Sequence, residues 1–170
     1  APLNHYAASK LAMEHMVRAR LDDLPLVITR PFNYTGVGQS SQFVIPKLIE
    51  HVAQKRTTVR LGNVHVAREF NDVRMVCDAY ISLLSNAKIG HTYNICTGVS
   101  HPLSSVIQLL GEISGHELSC QVDPTLVRQH EVLDLCGDPR KWRSVCPDVH
   151  LPSLKDTLIW MLSAQGVACK

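Results

Sequence analysis

Tyr6 and Lys10, four positions apart near the start of the chain, are the pair best suited to chemistry. On a helix, positions i and i+4 share a face. An ammonium beside a phenol stabilises the phenolate, which eases proton exchange with a carbonyl or hydroxyl oxygen. This is the proton half of a hydride transfer to or from a nicotinamide. Tyr6 would give or take the proton, and Lys10 would also hydrogen-bond the nicotinamide ribose. The spacing is equally served by an aromatic helix start beside a solvated lysine, so the surrounding elements must decide between the two. His5 belongs to no motif and reads as an exposed loop histidine.

Those elements follow from periodicity. A helix is predicted from about Tyr6 to Leu21, with Leu11, Met13, Val17 and Leu21 as its apolar positions and Asp22, Asp23 and Pro25 as its stop. Leu26 to Thr29 is a short apolar run, the mark of a buried parallel strand, ended by Arg30 and Pro31. Asn33 to Ser41 reads as a loop and Gln42 to Gln54 as a helix. Val59–Leu61 and Val66–Phe70 read as short strands around a Gly62-Asn63 turn. Asp72 is a candidate N-cap for a helix over Val73–Leu84. Thr92–Cys96 is a further strand. Leu103–Ile113 is a helix closed by Gly115. Leu118–Val122 is a strand, and Pro139–Val145 and Leu154–Leu162 are the last helices. The alternation predicts an α/β protein.

Composition narrows the class. The 170 residues carry 17 Lys+Arg against 15 Asp+Glu, a net charge of +2. That balance supplies no field for nucleic acid or an anionic membrane. No apolar run approaches the ~18 residues of a membrane span, and the opening residues lack the basic-then-apolar pattern of a secretion signal. The six cysteines form no Cys-x-x-Cys pair, and the nine histidines are scattered, so no metal site is expected. Cys77 and Cys96 lie in apolar segments and read as reduced core thiols. Trp142 and Trp160 read as packing residues. A reducing, cytoplasmic setting is expected.

Four segments, in order, carry a resemblance. Tyr6-Ala7-Ala8-Ser9-Lys10-Leu11-Ala12-Met13-Glu14 resembles the catalytic helix of the extended short-chain dehydrogenase/reductase family. Arg30-Pro31-Phe32-Asn33-Tyr34-Thr35-Gly36-Val37-Gly38-Gln39 is similar to the loop that lines the nicotinamide and reaches the sugar nucleotide. Arg68-Glu69-Phe70-Asn71-Asp72-Val73-Arg74 and Tyr93-Asn94-Ile95-Cys96-Thr97-Gly98 match two further segments of the family. The Pro31–Gln39 loop, with Val127-Arg128-Gln129-His130-Glu131-Val132 and Gly137-Asp138-Pro139-Arg140-Lys141, looks like the GDP-mannose 4,6-dehydratase and GDP-4-keto-6-deoxymannose reductase branch. Val122-Asp123-Pro124 before Val127-Arg128 leans toward the reductase.

The resemblance implies an NAD- or NADP-dependent enzyme that reduces a GDP-4-keto-6-deoxyhexose. Tyr6 is its general acid and Lys10 its modulator, with Tyr6, Lys10, Pro31 and Asn33 at the cofactor. Asn33, Lys47, Arg68, Arg128 and Glu131 hold the nucleotide sugar. The side chains suit those roles, since guanidinium groups fork onto phosphate oxygens and a carboxylate accepts from ribose hydroxyls. Competing readings make Arg68 a surface ion pair with Glu69, Lys47 a solvated helix residue, Arg128 and Glu131 a local pair, and Asn33 a turn former.

The family's Gly-x-x-Gly-x-x-Gly turn is not in the chain, and its substrate-orienting Ser or Thr lies upstream of the tyrosine. The expected fold is therefore the C-terminal part of an extended Rossmann-type short-chain dehydrogenase with the smaller substrate-binding subdomain, the N-terminal dinucleotide-binding half being absent. Residues 1–31 and 72–98 would belong to the Rossmann sheet and helices, and 32–71 and 99–170 to the substrate-binding subdomain. The isolated chain is expected to be poorly stable, with an exposed sheet edge, to be inactive, and to need the N-terminal half. The family also implies a homodimer through the Tyr6–Leu21 helix. A 4,6-dehydratase or a 4-epimerase remains open on the same scaffold, as does a non-catalytic sugar-nucleotide-binding or interaction module.

Overall fold

The structure is a computed structural model that describes residue 2 and residues 4–127 and 131–170. In chain order the elements are α1 (His5–Arg18), β1 (Ile28–Pro31), β2 (Tyr34–Thr35), α2 (Val44–Ala53), β3 (Thr58–Leu61), β4 (Ala67–Arg68), β5 (Asn71–Asp72), α3 (Val73–Asn86), β6 (Thr92–Ile95), β7 (His101–Pro102), α4 (Leu103–Ser114), β8 (Ser119–Val122), a 3-10 turn (Pro124–Leu126), β9 (Asp134–Leu135), α5 (Arg140–Arg143) and α6 (Leu154–Ala164). The expected α/β alternation is present.

The strands form small, mostly parallel sets. β1 pairs with β6 in parallel, Ile28 opposite Thr92 and Pro31 opposite Ile95. β2 pairs with β5 and β3 with β8, also in parallel. β4 is the centre of a three-stranded sheet, antiparallel to β7 and parallel to β9. Long crossovers separate these parallel partners, as parallel pairing requires.

Two hydrophobic clusters hold the elements. In the larger, Ile45, Leu48, Ile49 and Val52 of α2 follow the i, i+3, i+4, i+7 rule and meet Leu103, Val106, Leu110 and Ile113 of α4 and Leu158 and Leu162 of α6. In the smaller, Met75, Val76, Ala79 and Leu83 of α3 pack with Tyr93, Ile95, Trp142 and Cys146. Each fully buried side chain of this size stabilises the fold by about 1.5–3 kcal/mol.

The caps agree with the residue types. Asp72 accepts from the Arg74 amide at 2.8 Å and starts α3. Ser153 and Asp156 form a capping box on α6. Gly115 closes α4 at φ 68°, a left-handed conformation that favours glycine.

Several expectations are corrected. The apolar positions of the first helix are not core: α1 buries no residue, and Leu11 and Met13 stay exposed. The following strand lies two residues later than predicted and includes Pro31, whose missing N–H costs nothing there because the Ile28 and Phe32 amides, and not position 31, donate to the β6 side. The stretch Val66–Phe70 is not one strand. β4 ends at Arg68, the Glu69 side chain turns inside, and Asn71–Asp72 joins a different sheet. Cys77 is exposed and not a core thiol, since it faces away from the α3 side that carries Met75, Val76 and Ala79; Cys96 is buried. His5 is exposed but belongs to the first turn of α1.

Candidate active site

α1 and β1 run in opposite directions side by side. Arg18, at the end of α1, donates to the Thr92 hydroxyl at the start of β6 (2.6 Å). One turn earlier in α1, Glu14 accepts both arms of Arg30, Nε and Nη2, at 2.6 Å each. The N-terminal turns of α1 therefore lie beyond the carboxyl end of β1. Tyr6 and Lys10 line a cleft there, of about 700 Å3, with Arg30, Pro31 and Tyr34. Tyr6 is 72% exposed, and the Lys10 ammonium sits 5.5 Å from the centre of its ring. The Arg30 hydrogen bonds hold the Glu14 carboxyl below its ordinary pKa.

This is the end of a parallel sheet at which such folds take their ligands. A phenol and an ammonium over an open cleft, with the Pro31 ring beside them, fit the hydroxyls and flat base of a nicotinamide riboside.

A second pocket, of about 360 Å3, gathers Asn33, Lys47, Arg68 and Glu131. Four of the residues that the family resemblance assigns to the nucleotide sugar, from β4, α2 and two loops, thus share one wall. Arg68 pairs with Glu131 at 3.2 Å, both side chains being largely buried. It does not pair with its neighbour Glu69. Arg68 also donates to the carbonyls of Ala67 (2.7 Å) and Leu133 (3.4 Å). Lys47 donates to the Arg60 carbonyl at 2.6 Å and is half-buried, not a freely solvated helix residue. The Asn33 carbonyl accepts from both nitrogens of Asn71. Arg128 lies outside the described residues.

Pro31 and Tyr34 line the first cavity while Asn33, between them, lines the second, so one short segment joins the two. Asn33 is placed with Lys47, Arg68 and Glu131 rather than with Tyr6 and Lys10.

Sequence reasoning missed the groups that hold this wall in place. Glu69 is fully buried, and its carboxylate accepts from the Thr97 amide (2.7 Å) and hydroxyl (3.1 Å), the Gly98 amide (3.4 Å) and the Gly137 amide (2.5 Å). It ties β4 to the end of β6 and to the segment after β9. The Arg-Glu-Phe match contained this residue but not its partners. Gly62 is fixed by close approach: a Cβ there would lie 2.1 Å from the Leu126 carbonyl oxygen. Asp72 receives Arg74 (2.6 and 2.9 Å) and Thr157 (2.9 Å) while Arg74 stacks on Trp160. Burial pushes the Asp72 carboxyl up, but these hydrogen bonds prevail and hold it below its ordinary value. Trp142 is a packing residue, fully buried and donating to the Cys96 carbonyl. Trp160 packs against the larger cluster.

The family model for GDP-mannose 4,6 dehydratase matches residues 1–146. The chain belongs to this family. Among curated relatives of this GDP-mannose 4,6-dehydratase family member, a GDP-6-deoxy-D-talose 4-dehydrogenase of Aggregatibacter actinomycetemcomitans is 36% identical over 85% of the chain and 49% of its own length. A GDP-6-deoxy-D-mannose reductase of Pseudomonas aeruginosa is 34% identical over 76% of the chain and 45% of its own length. The chain thus spans about half the length of the curated relatives it matches. Among solved structures, RMD from Pseudomonas aeruginosa complexed with NADPH superposes with a TM-score of 0.88 at 30% identity, covering 97% of this chain and 57% of that one. A structure from Burkholderia cenocepacia J2315 with an unproven epimerase designation reaches a TM-score of 0.93 at 43% identity, covering 97% and 55%. The family's short-chain dehydrogenase fold is therefore that of the chain. Among the described residues, no helix is long and apolar enough to cross a membrane.

Proposed function

We propose that the chain is the C-terminal portion of an NAD(P)-dependent nucleotide-sugar oxidoreductase that reduces a GDP-linked 4-keto-6-deoxyhexose. The observation that carries this reading is the antiparallel course of α1 and β1. It sets Tyr6 and Lys10 at the carboxyl end of β1, one short segment away from the pocket of Asn33, Lys47, Arg68 and Glu131. The names of the GDP-sugar relatives and the NADPH-bound neighbour support it.

Lys10 and Pro31 would hold the nicotinamide riboside, which when bound would supply the hydride for reduction of the C4 carbonyl of the sugar. Tyr6 donates its phenolic proton to the carbonyl oxygen, so the ketone becomes a hydroxyl, and solvent returns the proton to the phenolate. Lys10 steadies that phenolate. Arg68 and Lys47 bind the diphosphate and Glu131 the ribose. Arg128 is assigned to the same ligand by resemblance alone. Residues 1–31 and 72–98 carry the cofactor side and 32–71 and 99–170 the substrate side. The full-length protein works in the cytoplasm as a homodimer through α1, whose exposed Leu11, Met13 and Met16 support such a contact.

Calorimetry of the purified chain with GDP, UDP, dTDP and NADPH tests this reading. GDP binding that weakens in Arg68→Met and Arg128→Ala is expected, with little binding of NADPH. A folded chain that binds no nucleotide would overturn the reading in favour of an interaction module. The family's name keeps a 4,6-dehydratase as the second reading. Net consumption of NAD(P)H by the full-length enzyme separates the two, because a dehydratase regenerates its cofactor within each cycle.

A further inference from the structure

Lys10 and Glu14 stand at i and i+4 on α1, a spacing that brings an ammonium and a carboxylate on one helix within pairing reach. They do not pair here. Both oxygens of Glu14 are taken by the two-armed guanidinium of Arg30, each contact at 2.6 Å. Among the described residues Lys10 is in no ion pair, and its ammonium lies instead over Tyr6, one turn in the other direction. The charged and titratable groups that line this cleft are Tyr6, Lys10 and Glu14 from α1, Arg30 from β1 and Tyr34 from β2. Among the described residues, Glu14 is therefore the one carboxylate lining the cleft that can draw Lys10 away. Glu14 is also largely covered, with its side chain 13% exposed, while Arg30 is 51% exposed.

We infer that Arg30 acts as a positioning residue by occupying Glu14 and thereby keeping Lys10 on Tyr6. A bidentate guanidinium outcompetes a single ammonium for a carboxylate, since it makes two parallel charge-assisted hydrogen bonds in a fixed geometry. Arg30 thus has two effects through one contact. It ties α1 to β1, and it leaves the Lys10 charge uncommitted. The second effect takes its meaning from the proposed roles of Tyr6 and Lys10, but it concerns a contact between two side chains of this chain.

Nuclear magnetic resonance on the 170-residue chain reads that contact as the cross-relaxation between the Lys10 ε-methylene and the Tyr6 ring protons. Arg30→Gln frees the Glu14 carboxylate, and the Lys10–Tyr6 signal is expected to be lost. Glu14→Gln breaks the same tie between α1 and β1 but leaves no carboxylate, so the signal is expected to persist. The double variant Glu14→Gln with Arg30→Gln is expected to restore it. Persistence in Arg30→Gln, or equal loss in all three variants, would overturn the inference, the latter because it would mean that the tie alone matters. If Arg30→Gln does not fold, Arg30→Lys keeps the charge without the fork and is expected to lose part of the signal; full retention would count against the inference. Nucleotide binding is not needed for any of these readings. The oxidoreductase assignment can therefore fail in calorimetry while this contact behaves as expected, and the reverse outcome is equally readable.

Discussion

The two cavities of the molecule are built in opposite ways. The wall of Arg68 and Glu131 rests on β4, which is paired on both edges, and on the buried Glu69 carboxylate with its hydrogen bonds to Thr97, Gly98 and Gly137. Beside it lies the larger apolar cluster of α2, α4 and α6. The Tyr6–Lys10 cleft has α1 as one side, and α1 buries no residue. Among the described residues, its side-chain hydrogen bonds to the rest of the chain are those of Glu14 with Arg30 and of Arg18 with Thr92. One region is positioned by packing and desolvated hydrogen bonds. The other is positioned by a few polar ties at the surface, which are individually weak in water.

That contrast can be broken, most sharply by stability. Trp142→Ala should cost about 3–5 kcal/mol and Leu158→Ala about 2–5 kcal/mol in denaturant unfolding, whereas Leu11→Ala in α1 should stay within about 0.5 kcal/mol. A comparable loss for Leu11→Ala would show that α1 has a packed face after all. Glu69→Ala should cost about 3 kcal/mol or more, because the Thr97, Gly98 and Gly137 amides are left buried without a partner. Its effect should reach GDP affinity too, through the displaced Glu131 segment, and unchanged calorimetry would separate the fold from the pocket. Arg68→Met should weaken GDP binding on the order of 30-fold, by removing the guanidinium assigned to the diphosphate and leaving Glu131 unpaired.

Acid should distinguish the regions more gently. The folded Asp72 carboxyl is held below its ordinary value, so it favours the folded state above the unfolded pKa. That contribution is lost as pH falls below about 4 and through the folded pKa. Asp72→Asn should therefore flatten the low-pH limb of an unfolding titration; an unchanged limb would mean that the Arg74 and Thr157 contacts do not hold the carboxylate in solution. The smallest effect is chemical labelling at neutral pH. Exposed Cys77 should alkylate readily. Cys96, which burial with the nearby Glu69 charge pushes up to about 12, should stay unreacted until the fold opens.

Much of the architecture was legible because local chemistry expresses it. Asp72 as N-cap, Gly115 as helix stop, the apolar spacing of α2 and α4, and the short Thr92–Ile95 strand all follow from rules that act within a few residues. The failures share one cause. Leu11 and Met13 have helical spacing but no surface against which to bury, and Val66–Phe70 has strand propensity but is split by the inward turn of Glu69. Neither outcome is encoded in the periodicity of the segment concerned.

The sequence by itself determined which chemistry is present: a Tyr-x-x-x-Lys pair, forked guanidinium groups, and the family segments that bring them in order. Residue type and spacing set donor geometry and charge, and these do not depend on the rest of the fold. Only the tertiary structure decided the pairings. Arg68 meets Glu131 across 63 positions rather than Glu69 beside it, and Arg30 meets Glu14 where Lys10 was the nearer partner along the helix. Such choices are made by which strands lie side by side, because a charge selects the partner that packing places within hydrogen-bond reach, however far apart the two lie along the chain.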